Sequence, residues 1–161
     1  MELSRHSYID PYGYRCGVEI ISDDVVVFNS SPSLCFDFKK HGIKIRRSKN
    51  YDYILRYAIN NERLFLCGIE ARLSPFCKGS HIFGVTAEAS NTGKWNIFSF
   101  DGIPVDYTGT LHIGKTFDDS FWKHDEKETP VPFSPEAYRE NGYIRIEEGI
   151  IIEKVLTVRD T

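Results

Sequence analysis

The sequence predicts a mainly β domain: an antiparallel β-sandwich or partly open barrel of about ten short strands, with one short helix near residues 135–141. Three observations predict it. Short runs of β-branched and aromatic residues recur between Gly, Pro, Asn and Asp. Several of those runs alternate apolar with small or polar side chains, the period of a strand that turns one face to a core. Only one segment carries the chemistry of a helix start. At 161 residues the chain has the size of one domain, with no linker, repeat or low-complexity stretch to divide it, so residues 1–161 are read as a single unit.

The first strand pair is read over residues 17–28, where VEII and VVVF flank the turn-like trio Ser22-Asp23-Asp24. LCFDF at 34–38 and IKIRR at 43–47 follow, joined by a loop containing His41-Gly42. The clearest unit is YDYILRYAINNERLFLCGIEARL at 51–73, in which Tyr53, Leu55, Tyr57 and Ile59 alternate with smaller or polar residues up to Asn60-Asn61. That pattern is a hairpin. After Pro75, HIFGVTAE and KWNIFSF make two strands across the polar link 89–93, and VDYTGTLHIG makes another after Pro104. Residues 115–133, rich in charge and proline, break the pattern and read as an exposed excursion pinned by Phe121 and Trp122. Ser134-Pro135-Glu136 combines an N-cap, a proline at the first helical position and an acid in the first turn, with Asn141-Gly142 closing the segment. YIRIEEGIIIEKVLTV ends the chain as a second hairpin, turning at Glu147-Glu148-Gly149.

Four cysteines, Cys16, Cys35, Cys67 and Cys77, stand far apart with no CxxC, which argues against a disulfide scaffold and reads as half-buried thiols. The opening MELSRHSYIDPYGYRCG lacks the apolar core of a signal peptide, and nothing approaches the ~20 apolar residues of a membrane span. A cytoplasmic protein is expected. The net charge of −3 hides an asymmetry, with 13 basic and 10 acidic side chains over residues 1–97 against 7 and 13 over 98–161. The only basic cluster is Lys39, Lys40, Lys44, Arg46, Arg47 and Lys49, more simply read as a solvated edge strand than as a nucleic-acid stripe.

Chemistry-bearing patterns are sparse. Cys77 and His81 have C-x3-H spacing with Cys67 ten residues earlier, but a zinc site advertises itself with two tight ligand pairs, and no metal is expected. His112 is the best acid–base candidate of five histidines, since alternation sets it opposite Leu111 and Ile113 with Lys115 close by; a surface histidine is the plainer reading. Neither G-x-S-x-G nor GxGxxG occurs; GTLHIGKT at 109–116 has the spacing GxxxxGK[ST] but reads as a strand with glycines at its ends rather than a phosphate cradle feeding a helix, and Asp101 and Asp106 around GIPV read as a turn, so no catalytic residue and no cofactor are expected.

Two surfaces are candidates for protein binding. Tyr8, Tyr12 and Tyr14 bracket Pro11 and Gly13 in a segment without periodicity. The acidic stretch Asp118, Asp119, Asp125 and Glu126, with Glu128 beyond, surrounds Phe121 and Trp122 and suits a basic partner. Asp118, Asp119, Phe121, Trp122, Asp125 and Glu126 are therefore the expected partner-binding residues.

The hairpin at 51–73, the strand GIPVDYTGTLHIGKTF and the closing GYIRIEEGIIIE together resemble a loosely defined group of uncharacterised bacterial β proteins with a Y-x-A-x-x-N-x-x-L-x-L strand pair, a later tGxLxIgk.f strand and a GYxxxxxGxI close. That group includes immunity proteins of bacterial toxin systems such as contact-dependent growth inhibition. The resemblance implies a cytoplasmic protein that binds and neutralises a cognate toxin, a nuclease among the possibilities, and carries over no functional residues. The expectation is thus a non-enzymatic binding protein with a protein partner, no nucleic acid and no membrane. Two further readings stand beside it: a small β-barrel enzyme or ligand-binding domain using His112 in a cleft, and a nucleic-acid-binding barrel using the basic cluster with tyrosine stacking.

Overall fold

A computed structural model describes residues 4–118 and 135–158. The strands are β1 (Ser4–Ile9), β2 (Arg15–Ser22), β3 (Val26–Val27), β4 (Tyr53–Asn60), β5 (Arg63–Ala71), β6 (His81–Ile82), β7 (Val85–Thr86), β8 (Glu88–Ala89), β9 (Asn96–Pro104), β10 (Gly109–Phe117), β11 (Tyr138–Glu147) and β12 (Ile150–Val158). The main sheet runs β1-β2-β4-β5-β12-β11-β10-β3 and curls into an open half-barrel. β9 joins β5 along residues 65–71, and β8 extends β9. The mainly β architecture read from the sequence is therefore the one observed.

Both hairpins form where the alternation places them. Asn61 and Glu62, at φ 49° and 65°, link the paired residues Asn60 and Arg63; Glu148 and Gly149, at 51° and 81°, link Glu147 and Ile150. Two consecutive residues in the left-handed region make type I′ turns, whose twist matches that of the flanking strands. The hairpin tips then dock. Ile150 pairs with Arg63, and Leu64 N–H donates to the Gly149 carbonyl at 2.9 Å while Ile151 N–H donates to that of Glu62 at 2.8 Å. This single point of pairing joins the two halves of the sheet.

Register sorts the faces. Cys16, Val18 and Ile20 of β2 lie beside Tyr53, Leu55 and Tyr57 of β4 and point into the core, while Glu19, on the other face, lies beside Arg5 and Arg56. Glu19 is fully buried beneath these two arginines, at 2.5 Å from Arg5 Nη2 and 3.2 Å from Arg56 Nε, and Arg56 reaches on to Glu70 at 2.9 Å. A buried carboxylate is tolerated only with such partners.

β2 and β4 are parallel, the one parallel pair of the described sheet, so the chain must cross over between them. Residues 23–52 make that crossover without an α-helix, and here the structure departs from the expected elements. Residues 17–28 are not a hairpin: both edges of β2 are taken by β1 and β4, and β3 leaves to pair Val26 and Val27 with Gly114 and Ile113 of β10. The 34–38 and 43–47 segments are not regular strands. They are 3-10 turns at Pro32–Leu34 and Lys39–His41 followed by a single bridge from Ile45 to Leu73, because Pro32 and the left-handed Gly42 interrupt any ladder. Their apolar residues instead fill the concavity of the half-barrel: Leu34, Phe38, Ile43 and Ile45 are all buried.

Other expectations shift in detail. HIFGVTAE folds as a small β6–β7 hairpin turning at Phe83-Gly84, and Asp101-Gly102 is an irregularity inside β9 rather than a turn. The short helix expected near 135–141 is one 3-10 turn at Pro135–Ala137, after which Tyr138 opens β11 and Asn141-Gly142 lie within it. No helix among the described residues is long and apolar enough to cross a membrane.

Candidate functional site

The richest surface lies where the β1–β2 loop meets the crossover. Asp10, at the end of β1, is buried, and its Oδ1 accepts from the N–H groups of Tyr12 and Tyr14, both at 2.9 Å. An aspartate that bonds the backbone two residues on builds this kind of turn, and Gly13 supplies the positive φ of 83° that the loop requires. Asp10 Oδ2 accepts from the buried Tyr53 hydroxyl at 2.8 Å, which anchors the loop to β4. Tyr12 is thereby held outward, its hydroxyl donating to Asp37 at 3.1 Å.

A second buried carboxylate organises the basic segment. Asp52 is fully buried; its Oδ2 accepts from Arg15 N–H at 2.7 Å and its Oδ1 from Ser48 N–H at 2.8 Å. Arg47 lies 3.7 Å from the same carboxylate, and the Arg15 guanidinium bonds the carbonyls of Lys49, at 2.6 Å, and Ser48. Residues 46–49 are thus laid against the start of β2 rather than left as a free loop.

The tyrosine loop and the basic cluster, more than 20 residues apart in sequence, meet as one face. Lys39 Nζ stands 4.3 Å from the centroid of the Tyr12 ring and the Arg47 guanidinium 4.7 Å from that of Tyr14, while Arg47 Nη1 donates to the Gly13 carbonyl at 3.0 Å. Each cation over an aromatic face is worth about 0.5–1 kcal/mol at an exposed site. Between them lies a cavity of about 520 Å³ whose walls combine Tyr12, Tyr14, Phe38 and Ile43 with Lys39 and Lys44. Of the six basic residues of the cluster, all exposed, Lys39 and Lys44 line the cavity and Arg47 reaches the loop beside it.

The other sequence candidates fall elsewhere. Asp118 is buried, 7% exposed, with its N–H donating to the Ala137 carbonyl at 2.7 Å. Asp119, Phe121, Trp122, Asp125 and Glu126 lie outside the described residues. His112 sits exposed on the outer face of β10, opposite Tyr143 in register, its N–H bound by Asn29 Oδ1 at 2.5 Å. Cys77 Sγ accepts from Lys44 N–H at 3.4 Å and His81 Nδ1 bonds Thr86 at 2.9 Å, so the C-x3-H pair does not act together. Among the described residues no group of three or more His, Cys, Asp or Glu is placed to hold a metal ion.

The sequence joined the basic cluster to tyrosines only in the nucleic-acid reading, and did not place the Tyr12–Tyr14 loop against Lys39 and Arg47. The signal available was Asp10 two residues before Tyr12 and Asp52 before the β4 run, acids placed where a buried carboxylate can collect backbone donors. Comparison with protein-family models, with curated proteins and with solved structures finds no match.

Proposed function

We propose that the protein is a non-enzymatic binding protein whose partner is another protein, and that the Tyr12–Tyr14 loop with the Lys39–Lys44–Arg47 rim is the surface that engages it. The observation that carries this reading is the pre-formed aromatic and cationic face around the 520 Å³ cavity. Tyrosine and arginine are the residues interfaces favour, and a loop already fixed by a buried carboxylate loses little entropy on binding. The carboxylates beneath the face support binding over catalysis. Both oxygens of Asp10 and of Asp52 are engaged by N–H and O–H donors, which leaves neither as a base for chemistry in the cavity. Exposed cations suit an acidic surface on the partner. One face of each tyrosine ring is covered by the protein's own cation and the whole chain is acidic, which disfavours nucleic acid.

An immunity protein that neutralises a bacterial toxin domain is the specific form of this reading, supported by the strand-pattern resemblance. For a strongly basic toxin the surface would instead be the acidic stretch Asp119, Phe121, Trp122, Asp125 and Glu126. The test is association kinetics with the partner recovered by pull-down from cells carrying the native locus. Lys39→Glu with Lys44→Glu should slow association at low salt about tenfold or more and flatten its salt dependence, whereas Asp125→Lys with Glu126→Lys should leave it within about twofold. The reverse pattern, with Trp122→Ala raising the off-rate, moves the interface to the acidic stretch. Recovery of a single-stranded oligonucleotide in place of a protein overturns the reading.

A further inference from the structure

A second cavity, of about 660 Å³, opens beside the first 3-10 turn of the crossover and shares no lining residue with the one beneath Tyr12 and Tyr14. Much of its wall is apolar. Leu34, Tyr57 and Leu66 are buried core residues, and the Tyr57 hydroxyl is spent on the Leu34 carbonyl at 2.5 Å, which leaves the ring as what Tyr57 offers a ligand. Phe36 and Phe83, edge to face with centroids 6.4 Å apart, supply two more rings. The polar part of the wall is acidic. Asp106 and Glu148 both line the cavity and are both exposed, and neither side chain has an ion-pair or hydrogen-bond partner among the described residues. Among the described residues no lysine, arginine or histidine lines it. The two acids are held on neighbouring chain: Glu148 N–H donates to Thr108 Oγ1 at 3.0 Å and Gly149 N–H to the Tyr107 carbonyl at 2.8 Å, which fixes the β11–β12 turn against the segment that carries Asp106. Backbone strain converges on the same place. Phe83 and Glu148 each take the first position of a two-residue type I′ turn, at φ 48° and 51°, where Asn, Asp or Gly sits most easily. In both turns the strained residue delivers its side chain to this cavity, one a half-exposed phenyl ring and the other a carboxylate.

We infer that this cavity binds a small organic cation, a protonated amine on an aryl or alkyl body, with Asp106 and Glu148 holding the ammonium and the apolar wall holding the body. Charge complementarity selects the ligand. Two carboxylates with no cation of the protein's own beside them favour a positive charge and repel an anion, and each accepts a charge-assisted hydrogen bond from an ammonium. The walls select what carries that charge. Aromatic rings attract a cation through their negative faces, and Leu34, Leu66 and Ile103 bury an apolar body that a hydrated metal ion lacks. Among the described residues no group of three or more His, Cys, Asp or Glu is placed to hold a metal, which agrees with an organic ligand. The volume is that of a small-molecule site, for which about 300–1,000 Å³ is usual. This site is separate from the tyrosine and lysine face, and its ligand is of the opposite charge to the partner surface proposed there.

The experiment titrates the full chain at neutral pH with two probes that share an indole body and differ in charge, tryptamine and indole-3-propionate, followed by calorimetry and by amide chemical shifts. Tryptamine should bind with a Kd of about 1 mM or tighter and indole-3-propionate about tenfold or more weakly. Shifts on tryptamine binding should fall on residues 34–36, 103–108 and 148. Asp106→Asn with Glu148→Gln should weaken tryptamine about tenfold and bring the two probes together, and Phe83→Ala should weaken tryptamine about threefold or more by removing a ring from the wall. Lys39→Glu with Lys44→Glu, in the other cavity, should leave tryptamine within about twofold. Equal affinity for the two probes, no saturable tryptamine binding below about 10 mM, or a double carboxylate variant that binds tryptamine as the wild type does would each overturn the inference. So would tryptamine shifts confined to residues 10–14 and 38–45, which place the ligand beneath Tyr12. The comparison of the two probes is read on the wild-type chain, so a variant that misfolds does not obscure it.

Discussion

The two hairpins, β4–β5 and β11–β12, and the crossover at 23–52 bury their apolar residues in the same core, yet different bonds hold them. Each hairpin is closed by its own backbone ladder and a two-residue turn. The crossover has almost no ladder; side chains hold its backbone, two from β4 and one from its own last residue. Tyr57 bonds Leu34, Tyr53 bonds Phe36, and Asp52 bonds Arg15 and Ser48. The difference teaches that regularity and burial are separate properties in this molecule. The candidate face is built from irregular chain, the β1–β2 loop and the crossover together, where side chains are presented at angles no pleated strand allows.

The largest test of that contrast is Phe38→Ala. Phe38 is 3% exposed in the crossover, so its truncation should cost about 3–5 kcal/mol by urea denaturation, comparable with Leu55→Ala in β4. A cost under about 1 kcal/mol would make the crossover a covering rather than core. Next come two glycines. A Cβ at Gly142, in the hairpin, would lie 1.7 Å from the Val155 carbonyl oxygen, and Gly142→Ala should cost about 3 kcal/mol; at Gly42, in the crossover, nothing lies within 4 Å, and Gly42→Ala should cost only about 1 kcal/mol for its positive φ. Equal costs would erase the distinction between a ladder that tolerates nothing and a loop with room. Asp52→Asn should cost about 2 kcal/mol, since an amide nitrogen cannot accept from Arg15 or Ser48 N–H, and should raise amide exchange across 46–49 while sparing β11–β12.

The smallest effect concerns Asp24, where the crossover begins and Lys154 of β12 reaches it at 2.5 Å. The Lys154 hydrogen bond holds the Asp24 carboxyl below its ordinary value. Its contribution is therefore present above the unfolded carboxylate value near about 4 and is lost as pH falls through the lower folded one. Both side chains are substantially exposed, so the pair contributes about 0.5 kcal/mol or less. Stability–pH profiles of the wild type and Asp24→Asn should differ by that amount at neutral pH and converge in strong acid; a gap persisting there would show a role other than the ion pair.

The hairpins were legible because alternation is a local signal: Tyr53, Leu55 and Tyr57 announce their shared face within five residues. The crossover was not, because what fixes Leu34 and Phe36 is a hydroxyl 23 or 17 residues away, and nothing in LCFDF distinguishes a strand from an apolar plug. The same holds for the sites. Tyr12 and Lys39 each stood out in their own segments, but their meeting depends on the crossover folding back against the β1–β2 loop, a non-local fact. The acidic stretch showed the limit of composition: Asp118, read as its first exposed member, is buried beside Ala137.

The pairing of β3 has a consequence for the chain as it is made. Val26 and Val27 complete their ladder only with Ile113 and Gly114. At a synthesis rate of roughly 5–20 residues per second, these valines leave the ribosome on the order of ten seconds before their partner strand exists. The hairpin β4–β5 emerges and closes in that interval, and gives β2 a neighbour. The apolar run at 25–28 has none. A nascent chain of this protein therefore displays a short, uncharged strand while it waits, the kind of segment that holdase chaperones shield and that crowded polysomes punish by aggregation.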